Sequence, residues 1–156
     1  MNEALLQRLA TLEGESAVRR LMARYMDLCD VPRAPVEARD LAQLFTEDAI
    51  WEGLGTQTAQ TFGQHRGREA IAAFVAGYLP PSDHFQLNLH YLTSESIVVD
   101  GEGAQGQWIM QQISTYADGR HELFGTRLNI DFRCVDGTWL IAHFRTQRLL
   151  NLELRP

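Results

Sequence analysis

The chain has 156 residues, of which 45% are hydrophobic and 22% charged, so it suits one globular domain with a sizeable core. Twenty acidic and fourteen basic residues give a net charge of −6, which argues against nucleic acid and anionic membranes as partners. No apolar run could span a bilayer, and the start, MNEALLQRLATLEGE, lacks the apolar block of a signal peptide, so a cytoplasmic location is expected.

A long helix is predicted in the first third of the chain. Apolar residues recur there at the i, i+3, i+4, i+7 and i+11 spacing of one helix face. They are Val18, Leu21, Met22, Tyr25 and Cys29. The segment DVPRAP at 30–35 ends this helix, because each proline disfavours helical geometry in the residue before it.

Two further helices are predicted before the middle of the chain. The first spans about 37–46 and leads into a short strand near 50–52. Its buried residues would be Leu41, Leu44 and Phe45. Residues 55–67 are rich in Gly, Thr and Gln, which indicates a loop with room for one short strand. The segment REAIAAFVAGYL then forms the other helix, which PPSD terminates.

The second half of the chain changes to strand patterning. Four alternating segments are separated by DGEG, ADGR and VDG, which are strong hairpin signals. Helices followed by an antiparallel meander predict an α+β domain with the helices on one face of the sheet. A strongly curved sheet closed by helices would enclose a cone-shaped space, which is either filled by side chains or open as a pocket.

Three polar residues could meet in such a pocket. Tyr25 lies on the apolar helix face, where it is either a core tyrosine or a hydrogen-bond donor to a substrate oxygen. Asp30 is rotated some 140° from Tyr25 about the helix axis, so it would approach the pocket only from the helix end. His90 lies on the polar side of its strand with Gln86 and Asn88. A carboxylate such as Asp30 could orient one ring nitrogen of His90 and leave the other free to take a proton.

The next two strands supply candidate binding residues. One places Trp108 and Gln112 on the same face, where Trp108 is either core or a flat wall for a ring-shaped ligand. The other carries Arg127 and Asn129 in a polar row, which is usually a solvated face but could reach the pocket mouth in a curved sheet. Trp51, on the first strand, is a second candidate wall.

The sequence offers no pattern for a metal or an organic cofactor. Its five histidines are scattered and the two cysteines, Cys29 and Cys134, have no zinc-binding spacing, so no metal site is expected. The chain lacks GxGxxG and P-loop motifs, which argues against a nucleotide cofactor.

Five segments, in this order, resemble one known family: ARYMDLCD, LAQLFTEDAIWEG, GREAIAAF, LHYLTSESIVVDGEGA and FRCVDGTWLIAHF. They are similar to the SnoaL-like branch of the nuclear transport factor 2-like superfamily, which includes scytalone dehydratase and bile acid 7α-dehydratase. The resemblance covers nearly the whole chain. It implies a single domain over 1–156, with a cone-shaped, cystatin-like α+β barrel around a pocket, and a homodimer or homotrimer.

The same resemblance implies roles for three residues. Dehydratases of this branch line their pocket with a helix tyrosine, an aspartate five residues later and a strand histidine, which look like Tyr25, Asp30 and His90. His90 would be the base, Asp30 would orient it, and Tyr25 would polarise or protonate a substrate oxygen. The implied function is a cofactor-independent lyase, dehydratase or isomerase that abstracts a proton from a hydroxylated aromatic or polycyclic small molecule.

One departure from the family leaves the reaction open. Dehydratases carry a second acid or histidine on the strand that here offers Trp108, Met110 and Gln112. Carbon–oxygen elimination, isomerisation and retro-aldol carbon–carbon cleavage therefore all stay open. The alternative is a non-catalytic, small-molecule-binding or assembly subunit, like the small subunit of ring-hydroxylating dioxygenases. The presence of Tyr25, Asp30 and His90 favours an enzyme over such a non-catalytic subunit.

Overall fold

The computed structural model describes residues 2–155, in which helices pack on a six-stranded sheet. The helices are α1 Glu3–Cys29, α2 Ala38–Ala42, α3 Thr56–Phe62 and α4 Arg68–Ala76. The strands are β1 Phe45–Gly53, β2 Gln64–Arg66, β3 Phe85–Asp100, β4 Gly103–Tyr116, β5 His121–Val135 and β6 Thr138–Leu154. The predicted α+β class and its four-stranded meander are confirmed. Across residues 2–155, none of the helices combines the length and the apolar character needed to cross a membrane.

The strand order is β2-β1-β6-β5-β4-β3. Strands β3 to β6 pair as consecutive antiparallel neighbours, so hairpins set their registers. Strand β1 lies beside β6 as a parallel neighbour, with Trp51 opposite Phe144. This pairing brings residues from the first third of the chain next to the last strand, on the face that the helices cover.

Helix α1 ends where the sequence predicts. Its buried residues begin at Gly14 and continue to Cys29, while Leu5 and Leu12, which precede them, are exposed. Asp30 follows the helix in an extended conformation, with φ −72° and ψ 143°. The proline two residues later is consistent with this exit, because it cannot supply the amide hydrogen that another helical turn would need. The chain therefore turns from the helix end towards β3.

Two predictions in the first half were wrong. The helix expected over 37–46 spans only Ala38–Ala42, because Phe45 instead pairs with Ile141 and begins β1. Sheet pairing thus overrides local helix preference. In the 55–67 segment the short strand is confirmed as β2, but α3 precedes it, between Gly55 and Gly63. Tertiary contacts stabilise α3: Thr58 is buried and its hydroxyl accepts a hydrogen bond from the backbone of Arg148.

A substitution at Gly106 tests how tightly the core is packed under β4. A Cβ atom at Gly106 would lie 2.4 Å from the Trp108 ring and 3.2 Å from Phe132. Overpacking of this kind typically costs about 1–3 kcal/mol, so we expect Gly106→Ala to lower the free energy of unfolding by about that amount in chemical denaturation. Gly103→Ala on the same strand is the control, because its nearest neighbour is 3.6 Å away. Equal stability of the two variants would contradict this packing.

Candidate active site

A cavity of about 340 Å³ lies between the inner face of the sheet and helices α1, α3 and α4. Aromatic side chains form much of its wall, and Trp51 stacks on Phe144 with ring centroids 5.4 Å apart. Tyr25 and His90 both line it. The cone-shaped space is therefore open, and two of the three predicted catalytic residues face it.

Asp30 and His90 form a close pair at the edge of the cavity. Oδ1 of Asp30 lies 2.8 Å from Nδ1 of His90 and also accepts a hydrogen bond from the His90 backbone N–H at 3.0 Å. A carboxylate can only accept, so Nδ1 carries the hydrogen and Nε2 is the unprotonated nitrogen of the neutral ring. No group within residues 2–155 hydrogen-bonds to Nε2. The imidazole side chain is only 9% exposed, so one oriented, largely desolvated base lines the cavity.

Backbone hydrogen bonds bring Asp30 to His90. The amide of Val31 donates to the carbonyl of Asn88, and the amide of Asn88 donates to the carbonyl of Val31, both at 2.9 Å. This isolated bridge fastens the exit of α1 to β3. Asp30 precedes the bridge and His90 follows it, so the carboxylate lies behind the imidazole. Asp30 itself does not line the cavity.

Tyr25 lies on the part of α1 that faces the cavity. Its hydroxyl oxygen accepts a hydrogen bond from Nε1 of Trp51 at 3.1 Å. Burial, reinforced by the neighbouring Cys29 thiol, raises the pKa of Tyr25 well above its usual value. Tyr25 therefore keeps its proton. In the hydrogen bond with Trp51 the Tyr25 oxygen is the acceptor, so the Tyr25 O–H can still donate to a ligand.

A buried amide network lies beside His90. Oδ1 of Asn88 accepts hydrogen bonds from Ser114 at 2.8 Å and from Nε2 of Gln112 at 2.9 Å. These two donors fix the orientation of the Asn88 amide, so its NH₂ group is the part that stays available as a donor. Asn88 and Gln112 both line the cavity. The wall next to the base therefore offers fixed hydrogen-bonding groups.

The family follows from the sequence comparison. The family model for the SnoaL-like domain matches residues 10–145. The chain belongs to the SnoaL-like domain family. No curated protein matches this sequence.

Solved structures share the fold of this SnoaL-like protein at low sequence identity. A hexachlorocyclohexane dehydrochlorinase, LinA Type2, is 18% identical, with a TM-score of 0.77 over 96% of this chain and 93% of that one. A provisionally named scytalone dehydratase from Novosphingobium aromaticivorans is 18% identical, with a TM-score of 0.76 over 93% and 90%. An NTF2-like protein with a cystatin-like fold from the same organism is 25% identical, with a TM-score of 0.72 over 93% and 88%.

Three predicted binding residues of the SnoaL-like protein lie outside the cavity. Trp108 is 2% exposed and fills the core against Phe132, so it is not a cavity wall. Arg127 is exposed on the outer face of β5. Asn129 lies on that same face, opposite Arg145 of β6. The inner face of β5 instead carries the residues that alternate with them, so the interpretation of this polar row as a solvated face was the correct one.

The structure supports the placement of the other predicted residues. Trp51 and Gln112 line the cavity, although their part in binding a ligand stays a prediction. Sequence reasoning missed Asn88, Ser114, Tyr116, Glu122 and Arg148. Each of the missed residues lies on β3 to β6 at a position whose side chain points inward. Strand alternation could have found them only if the inward face of each strand had been known.

Two of the missed residues form a second protic pair. The hydroxyl of Tyr116 donates to the Glu122 carboxylate at 2.6 Å, and both residues line the cavity. Burial, together with the adjacent Glu122 carboxylate, raises the pKa of Tyr116 to about 12.

Within residues 2–155 no group of three or more His, Cys, Asp or Glu side chains is arranged to hold a metal ion.

Proposed function

We propose that this SnoaL-like protein is a cofactor-independent lyase or isomerase that abstracts a carbon-bound proton from a hydroxylated aromatic or polycyclic small molecule. The observation that carries this proposal is the Asp30–His90 pair at an open, largely apolar cavity. An imidazole that a carboxylate orients and whose Nε2 is free is suited to general base catalysis.

The first step transfers the substrate proton to His90. The C–H bond breaks, Nε2 takes the proton, and the electron pair moves towards an adjacent carbonyl or aromatic system. The imidazolium that forms is stabilised by the Asp30 carboxylate. Tyr25 donates a hydrogen bond to the substrate oxygen that gains charge, and its raised pKa makes it a hydrogen-bond donor that retains its proton.

The second step expels the leaving group. In a dehydration the electron pair forms a carbon–carbon double bond, the carbon–oxygen bond breaks, and hydroxide leaves. The proton held by His90 then converts hydroxide to water and returns the ring to its neutral form. This route requires no second acid on β4, where Met110 and Gln112 line the cavity. In an isomerisation the same proton returns to a different carbon. In a retro-aldol cleavage Nε2 instead takes the proton of a hydroxyl group, a C=O bond forms as the adjacent carbon–carbon bond breaks, and the proton is returned to the carbon that keeps the electron pair.

Two further observations support an elimination chemistry on a flat substrate. The solved structures with the same fold include a protein named as a dehydrochlorinase and one provisionally named as a dehydratase, and both names denote eliminations. The cavity volume of about 340 Å³ and its aromatic wall suit a compound of one to three rings.

A screen in deuterated water tests the proposal. Hydroxylated aromatic and polycyclic ketones are incubated with the protein and analysed by NMR and mass spectrometry. We expect at least one compound to exchange a carbon-bound proton for deuterium or to lose the elements of water, because either outcome reports proton abstraction. If some compounds raise the unfolding temperature but none of them exchanges a proton or forms a product, the result contradicts the proposal and favours a binding protein.

A further inference from the structure

Arg148 is a cation in the cavity wall without an anionic partner. It lies on β6 and is partly buried. Among the arginines of residues 2–155, it is the one that lines the cavity. No carboxylate of the described residues forms an ion pair with its guanidinium group. Elsewhere on the sheet, Arg145 pairs with Asp131 and Arg133 pairs with Asp48. Arg127 of β5 also lacks an ion pair within residues 2–155, but it is exposed on the outer face, whereas Arg148 turns its unfilled capacity to bind an anion towards the cavity.

The Arg148 side chain is held in place by aromatic rings. Its guanidinium carbon lies 4.2 Å from the centre of the Phe124 ring and 5.9 Å from that of Phe62. Its backbone amide donates to the buried hydroxyl of Thr58. A guanidinium that rests on a ring face keeps the N–H groups at its edge free, and its fixed orientation reduces the entropy lost on binding a planar anion.

The anion that fits Arg148 is a carboxylate. A guanidinium binds a carboxylate through two parallel hydrogen bonds. A phosphate would bring more negative charge to a cavity that already contains the Glu122 carboxylate and in which Arg148 is the one arginine among residues 2–155. All fourteen basic residues of the chain are arginines, so no lysine offers a second positive charge.

We propose that Arg148 binds a carboxylate group of the substrate and thereby determines which end of the substrate faces His90. This inference rests on the proposed function, since it concerns the substrate of the same site. His90 lies on β3 and Arg148 on β6, with β4 and β5 between them. The cross-strand row that starts at His90 ends at Asn151 of β6, and Arg148 lies three residues from Asn151 along that strand. The three strand spacings alone amount to about 14 Å along the curved sheet. The substrate is therefore a cyclic carboxylic acid whose carboxylate is remote from the carbon that loses its proton.

Binding of matched acid and amide probes tests this inference. Isothermal titration calorimetry compares 2-naphthoate with 2-naphthamide, which has nearly the same shape but no charge. We expect the wild-type protein to bind the acid about tenfold more tightly than the amide, and this preference should weaken as salt is added. Arg148→Gln should lose about tenfold in affinity for the acid and leave the affinity for the amide unchanged.

Two further variants separate charge from position. Arg148→Lys should bind the acid less tightly than wild type and more tightly than Arg148→Gln, because lysine keeps the charge but not the bidentate geometry. Arg127→Gln removes an exposed arginine from the outer face of β5 and should change neither affinity. Equal wild-type affinities for the two probes, no binding of either, or an equal loss of both in Arg148→Gln would overturn the inference.

The experiment also distinguishes this inference from the proposed function. His90→Gln should keep the preference for the acid, because the binding readout does not depend on proton transfer. If the acid preference is present but no carboxylated substrate undergoes exchange or elimination, the proposed function fails and carboxylate binding stands. If proton abstraction is observed only on uncharged compounds and both probes bind equally, the carboxylate inference fails and the proposed function stands.

Discussion

Replacement of His90 by glutamine should lower the turnover of any substrate found in the deuterium screen by about 10²- to 10⁴-fold, the usual contribution of a general base. Glutamine retains polar groups that can reach Asp30, but its side chain cannot accept a proton near neutral pH. The free energy of unfolding should change little, because the one hydrogen bond that the His90 side chain forms within residues 2–155 is to Asp30, which glutamine can also reach. Steady-state kinetics and thermal denaturation measure the two effects separately.

His121 provides a matched control for the His90 variant. It is a partly buried strand histidine whose Nδ1 lies 2.9 Å from the Thr115 hydroxyl, and it does not line the cavity. His121→Gln makes the same chemical change at a comparable position and should leave turnover close to that of wild type, because His121 is outside the cavity. Full turnover in His90→Gln, or equal losses in the two variants, would remove His90 from the mechanism.

Much of the architecture was predictable from local patterns. The helical spacing that includes Val18 and Tyr25 identified the buried face of α1, and both residues are buried. Three Asp-Gly-containing turns located the hairpins of the meander. These signals are local, because helix periodicity and turn chemistry depend on residues a few positions apart. The register between β1 and β6 is not local, since it joins Trp51 to a strand that begins at residue 138.

The orientation of the strands was harder to predict, because the interior of this fold is partly a cavity. In β3 the polar residues Asn88 and His90 face inward, while Tyr91 on the other face is 46% exposed. Polar side chains on an inner face would be costly in a filled core. Here they line an open space, so alternation alone does not show which face is functional. For the same reason Arg127 was predicted at the pocket and Arg148 was missed.

The Asp30–His90 contact required both the resemblance and the structure. The two residues are 60 positions apart, and the helical angle places Asp30 well away from Tyr25. Asp30 nevertheless reaches His90, because the helix ends before Asp30 and Val31 then pairs with Asn88 of β3. The end of the helix is predictable, because Pro32 disfavours helical geometry in Val31, the residue before it. The strand that the chain contacts after the helix is not predictable from these local signals.

Two substitutions of Asp30 separate its charge from its hydrogen bonds. One oxygen, Oδ1, accepts from both the backbone N–H and Nδ1 of His90. Asp30→Asn can therefore keep both hydrogen bonds and the tautomer of the ring through its amide oxygen, and it loses only the negative charge. Charge-assisted hydrogen bonds are roughly twice as strong as neutral ones, so we expect turnover to fall by about tenfold, with the Nδ1–H tautomer retained in ¹⁵N NMR spectra.

Asp30→Ala removes the acceptor entirely. The ring then loses its orientation and tautomer, so turnover should fall towards the level of His90→Gln, by about 10²-fold or more. The His90 backbone N–H also loses its partner, which should lower the free energy of unfolding by about 1 kcal/mol. Kinetics are therefore compared well below the unfolding temperature of each variant.

The double variant Asp30→Ala/His90→Gln decides whether the two residues act as one unit. Groups that work together give strongly non-additive losses, because once the base is absent its orienting partner has nothing left to orient. Turnover of the double variant should therefore match that of His90→Gln alone. If the two losses instead multiply, Asp30 acts on the reaction independently of His90, and the assignment of Asp30 as a positioning residue is wrong.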